Sequence, residues 1–171
     1  MIYLVTTNNL LPNNDTIKIV SVEESLKYLE PLQLVGLDTE TTGLDCWTKD
    51  LLSIQLGCRD FQVVVDCKTI DVSYYKEYLE SDRLFIGWNL KFDLKFLYRK
   101  FIIPKNVYDG YLAEKMQWVG YPSGMHSLSL KDRFSFTSLH TESIDFIPVI
   151  IFNPTSSSDI GLSSGTTFSH K

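Results

Sequence analysis

The chain has 171 residues, 44% of them hydrophobic and 22% charged, and a net charge of −5, which suits one soluble domain with its own core and excludes a disordered or fibrous chain. Net acidity excludes a protein that coats nucleic acid by bulk attraction, so any such contact must rest on local basic and aromatic groups or on bound cations. Cys46, Cys58 and Cys67 are odd in number and form no CxxC pair, which argues against a disulfide scaffold or zinc knuckle and fits a reducing, cytoplasmic setting.

The amino terminus lacks the basic and long apolar regions of a secretory signal. The apolar run 146–152 contains Pro148 and is far too short to span a bilayer. Residues 2–5 and 17–20 read as short β segments, and Ser21-Val-Glu-Glu24 as a capping box opening a helix that Pro31 ends. Three β runs follow at 34–38, 51–56 and 61–65, with connections short enough for an antiparallel meander. A helix at 73–80 leads to a strand at 84–88.

From Asn89 onward Phe92, Phe96, Leu97 and Tyr98 recur at helical spacing, so 90–100 is expected as a helix with Asn89 as N-cap. An extended piece reaches Asp109, itself placed as an N-cap, and a helix over 110–119 follows, carrying Leu112, Ala113 and Met116 on one side. The loop 120–124 breaks it, and a further helical stretch begins at Ser127. Residues 137–171 hold only 4 of the 37 charged residues, and 153–171 hold 11 Ser, Thr or Gly in 19. This composition shift divides the chain into a domain at 1–136 and a divergent, Ser/Thr-rich flexible tail at 137–171.

The chemistry concentrates in carboxylates. Asp38 and Glu40 sit at i and i+2 of a strand, so they project from one face, where two like charges call for a cation or a shared proton. The plainer account is a solvated strand end. Asp93 follows Asn89 by four residues, which puts both on one side of the helix, opposite much of the Phe92 and Phe96 side; taken alone it would be an exposed Asp. Lys91, Lys95, Arg99 and Lys100 give that helix a basic side able to meet phosphates, though a solvated face is the commoner reason for such a run. Trp88, Trp118 and Tyr121 are candidates for base stacking, with core packing as the default.

Taken together these segments resemble the DEDD exonuclease superfamily. Val35-Gly-Leu-Asp-Thr-Glu-Thr-Thr-Gly-Leu-Asp45 is similar to its first motif and Ile86-Gly-Trp-Asn-Leu-Lys-Phe-Asp-Leu-Lys-Phe-Leu97 to its second. The meander between them is similar to the proofreading domains of family A DNA polymerases and to ribonuclease D, and Gly110 stands where Thr is usual. The resemblance covers roughly residues 33–133. It implies an α/β, ribonuclease H-like mixed sheet whose first three strands are antiparallel. It also implies two-metal hydrolysis of a phosphodiester at a 3′ end, with DNA favoured and RNA left open, in a piece of a DNA polymerase or a partner of one. By that resemblance Asp38 bridges two Mg²⁺ or Mn²⁺ ions, Glu40 binds one of them and Asp93 holds the other through water. Thr41 and Leu44 match positions that contact the terminal nucleotide, Leu44 as an apolar wedge, and Asn89 matches a position near the scissile nucleotide.

Family members add a fourth Asp on a late helix, with a Tyr four or a His five residues before it. Tyr78 and Asp82 have the first spacing but precede Asp93, and read as surface helix. His140 and Asp145 have the second, yet Pro148 follows soon after. The fourth carboxylate is therefore not assigned, and the family-like sequence is expected to stop near Arg133, with a divergent or truncated remainder. Loss of that group would cut activity by orders of magnitude and leave binding intact, so a catalytically impaired binding remnant stands as the first alternative. An aspartate-nucleophile phosphatase, with Asp38 in a variant DxDxT motif, is the second.

Overall fold

The computed structural model describes residues 1–8 and 14–120. In chain order these form β1 (Ile2–Val5), β2 (Ile17–Ile19), α1 (Val22–Leu29), β3 (Leu34–Thr41), β4 (Leu51–Gly57), β5 (Gln62–Asp66), a 3-10 turn (Val72–Tyr75) running into α2 (Lys76–Leu79), β6 (Leu84–Gly87), α3 (Leu90–Arg99), β7 (Asn106–Asp109) and α4 (Gly110–Gln117). The helix expected from 73 to 80 is thus split into two short turns. The expected tail, the stretch from Ser127, Tyr121 and the pair His140 and Asp145 lie outside the described residues.

The strands make one mixed sheet in the order β2-β1-β5-β4-β3-β6-β7. β3, β4 and β5 are the antiparallel meander expected from their short connections. The two amino-terminal strands extend it on the far side, β1 pairing parallel with β5 and β2 parallel with β1. On the other side β6 joins β3 in parallel and β7 joins β6. A parallel partner needs a crossover, supplied here by the turn and α2 before β6 and by α3 before β7.

Burial follows the pleat. Along β3, Val35, Leu37 and Thr39 are buried while Gly36, Asp38 and Glu40 are half-buried, so the DxE pair occupies one face and the core the other. β4 and β5, in the middle of the sheet, are buried almost continuously. Leu29, Ile54, Leu56, Tyr75, Leu79, Phe85, Leu97 and Ile102 fill the core. Tyr78 belongs to it as well, at 5% exposure with its hydroxyl donating to the Leu29 carbonyl. The surface position expected for Tyr78 is therefore corrected: its ring covers Phe85 edge-on, and only Asp82, four residues on, stays at the surface.

Candidate active site

The site grows from the point where β6 stops pairing with β3. Their ladder runs from Leu34 opposite Leu84 to Gly36 opposite Ile86 and then ends. At the next position a Cβ on Gly87 would lie 2.5 Å from the Leu37 carbonyl oxygen and 2.4 Å from Leu90 Cδ2, so glycine is what lets β6 hand over to α3 so close to β3. One turn into α3, Asp93 reaches the strand. Its Oδ1 accepts from the backbone N–H of Thr39 at 3.0 Å and from the Thr39 hydroxyl at 2.5 Å. Asp93 is 0% exposed.

This answers the plain reading of Asp93 as an exposed helix residue, and corrects its expected position opposite the aromatic side. It faces inward with Leu90, Phe96 and Leu97. A buried carboxylate is costly unless hydrogen-bonded, and Thr39, whose role the spacing did not reveal, supplies two donors. Thr39 is the residue between Asp38 and Glu40, so α3 delivers its carboxylate to the segment of β3 that carries the pair. Thr41 follows a shift in the β3–β4 register after Glu40, and its hydroxyl donates to the Gly43 carbonyl at 2.9 Å. Such irregularities re-aim side chains where a strand leaves its sheet. Leu44, beyond it, is 66% exposed, so core packing does not account for a leucine there.

Asn89 stands at the N-cap position, but its side chain makes no capping bond and its backbone is left-handed, φ 60 and ψ 41. Asparagine tolerates that region better than most residues. The backbone N–H of Asn89 instead donates to Asp109 Oδ1 at 2.9 Å, the same oxygen that accepts from Tyr111 N–H and, at 3.4 Å, from Leu112 N–H. Asp109 is an N-cap as its place before a helix implies, and it also ties the start of α3 to the start of α4. A Cβ on Gly110 would lie 2.9 Å from Trp88 Cε3. Trp88 therefore packs on Gly110 and edge-on to Tyr111, the packing role, while Trp118 donates to Glu114.

The donor set is chemically suited to hard divalent cations, which take carboxylate oxygens. Asp38 and Glu40 meet that requirement as a pair on one half-buried face. Asp93 comes to the same strand but is engaged with Thr39, and among the described residues no three His, Cys, Asp or Glu side chains are grouped closely enough to hold a metal ion. Two carboxylates thus share one face of β3, and the third is tied to Thr39, the buried residue between them. Antiparallel pairing of β3 with β4 speaks against the phosphatase alternative, whose nucleophile sits in a parallel sheet.

Comparison with known proteins agrees with this layout. A family described as 3′–5′ exonuclease matches residues 17–135, most of the chain. The chain belongs to that family. DNA polymerase I of Aquifex aeolicus is 34% identical over 108 residues, covering 63% of this chain and 17% of the polymerase. The chain therefore spans about a sixth of that relative. Among solved structures, Brucella melitensis NrnC with bound Mg²⁺ superposes at a TM-score of 0.55 and 20% identity, covering 90% of this chain and 69% of that one. Escherichia coli RNase D, an exoribonuclease, does so at 0.56 and 18%, covering 78% and 33%. These likenesses establish the ribonuclease H-like fold of the exonucleases.

Proposed function

We propose that this chain is a metal-dependent 3′→5′ exonuclease domain that shortens nucleic acid, DNA in preference to RNA, from its 3′ end. The observation that carries the reading is the bond from Asp93 to Thr39, which brings the second-motif carboxylate to the strand segment holding Asp38 and Glu40 in a chain of exonuclease family. Asp38 and Glu40 would hold divalent metal directly. Asp93, whose Oδ1 is already engaged by Thr39, would act through water. Held there, Mg²⁺ or Mn²⁺ would supply charge stabilisation for the attacking water and the leaving 3′ oxygen, and the Mg²⁺ bound by NrnC supports that choice of ion.

The protein's own residues position the substrate. Leu44 presents an exposed apolar side chain beside the end of β3 for the terminal base, Thr41 shapes the turn beneath it, and Asn89 stands at the start of α3 for the scissile nucleotide. The preference for DNA, and a place beside a polymerase in replication or proofreading, rest on the DNA polymerase I relative. A cytoplasmic setting is supported by the three free thiols.

The test incubates the full chain with a 5′-labelled single strand and Mg²⁺ or Mn²⁺. A ladder shortening from the 3′ end with release of mononucleotides is expected, abolished by EDTA and lowered at least about a hundredfold by Asp38→Ala or Asp93→Ala. If the unaltered chain releases no more than Asp38→Ala, the domain is a binding remnant.

A further inference from the structure

Beyond the carboxylate site, an open groove of about 360 Å³ runs between the loop after β3 and one side of α3, lined by Leu44, Asp45, Trp47, Lys95, Tyr98 and Arg99. Its most unusual feature is Trp47, 75% exposed. Tryptophan is highly buried on average, so this exposure sets it apart. The turn that presents it is nonetheless firmly built. Asp45 accepts from Trp47 N–H at 3.0 Å and from the Thr48 hydroxyl at 2.9 Å, and its carbonyl accepts from Thr48 and Lys49 N–H. These bonds hold the Asp45 carboxyl below the usual carboxylate range and occupy it within the turn.

Arg99 fixes the loop to the helix. Its Nη1 donates to the Cys46 carbonyl at 2.5 Å and to the Lys49 carbonyl at 3.0 Å. The guanidinium thereby holds Trp47 on one lip at a set position relative to Tyr98, 48% exposed, and to Lys95, exposed on the other. Leu44, 66% exposed, joins the groove to the end of β3. Two exposed aromatic rings and a cation along a groove are the parts a single strand needs, rings for base stacking and an ammonium for phosphate. In an acidic chain they are also a local exception that a polyanion would find.

We infer that this groove is a single-strand subsite in which Trp47 stacks on one base and Lys95 meets its phosphate, seating the nucleotides that lead toward the cleavage site. The inference rests on the exonuclease reading for its direction, but its test does not. Binding of fluorescein-labelled oligo(dT)8 to the full chain is measured by anisotropy in EDTA, where no metal-dependent cleavage occurs. Trp47→Ala should weaken binding about tenfold and Trp47→Phe much less, because a smaller ring still stacks. Moving one abasic nucleotide along the oligomer should find one position that costs the unaltered protein about tenfold and costs Trp47→Ala nothing further. Lys95→Ala should lower the salt slope by about one.

Because Trp47 is largely exposed, the variant should melt with the parent, which separates stacking from folding. The proposal is overturned if the unaltered chain shows no saturable binding, if Trp47→Ala binds as the parent does, or if its deficit is the same wherever the abasic nucleotide lies. A chain that binds this way yet releases no mononucleotides would sink the exonuclease reading and leave the groove standing.

Discussion

Thr39 carries more of the site than its neighbours suggest. Its hydroxyl and its backbone N–H both serve one buried carboxylate oxygen of Asp93, and a hydrogen bond to a charged group contributes about 1.5–3 kcal/mol. Thr39→Val keeps the shape and removes one donor. The urea midpoint should fall by the equivalent of about 2 kcal/mol, and exonuclease activity should drop with it, since Asp93 loses the bond that orients it. An unchanged midpoint would show that the buried carboxylate draws its stability elsewhere. The motif spacing singled out Asp38, Glu40 and Asp93, but Thr39 reads in sequence only as the residue between two acids. Its donor role exists because α3 reaches β3 from a segment 54 residues away.

At the level of elements, the decisive piece is the handover from β6 to α3. Gly87→Ala would place a methyl group against the Leu37 carbonyl and Leu90, backbone that cannot rotate aside and a fully packed leucine, so α3 must shift. A loss of about 1–3 kcal/mol is expected, as for overpacked cores, read as a lowered thermal midpoint, together with loss of activity as Asp93 leaves Thr39. The neighbouring strands were legible. Alternation placed β3 with Asp38 and Glu40 on one face, and short connections gave the meander, because both are local properties of the chain. The partner of the residue that caps α3 was not: Asn89 looked like a side-chain cap, whereas Asp109, twenty residues on, holds its N–H.

For the whole molecule, two buried tyrosines and a half-buried cysteine set the response to alkali. Burial pushes the Tyr75 and Tyr78 hydroxyls and the Cys67 thiol up to about 12. In the unfolded chain these groups ionise near 10 and 8.5, so above roughly pH 9 the unfolded state binds fewer protons than the folded one and stability falls as pH rises toward 12. The melting temperature should decline steadily between pH 9 and 11.5, and Tyr75→Phe with Tyr78→Phe should flatten that decline relative to each variant's own value at pH 7. On the acid side Glu24, held low by its hydrogen bond from Lys18, and Glu80, held low by Lys76, are half-buried side chains in solvent-screened surface pairs and contribute little.

The sequence by itself determined the antiparallel meander, the paired carboxylates on one face of a strand and the exonuclease family, since periodicity and motif spacing are written in neighbouring residues. Tertiary structure alone decided that Asp93 is buried with Thr39 as its long-range donor, that Asp109 holds the Asn89 N–H, and that Tyr78 lies in the core. It also decided that Trp47 is left in the open beside α3. Those outcomes depend on how closely separate segments approach, which Gly87 and Gly110 permit and which no local pattern encodes.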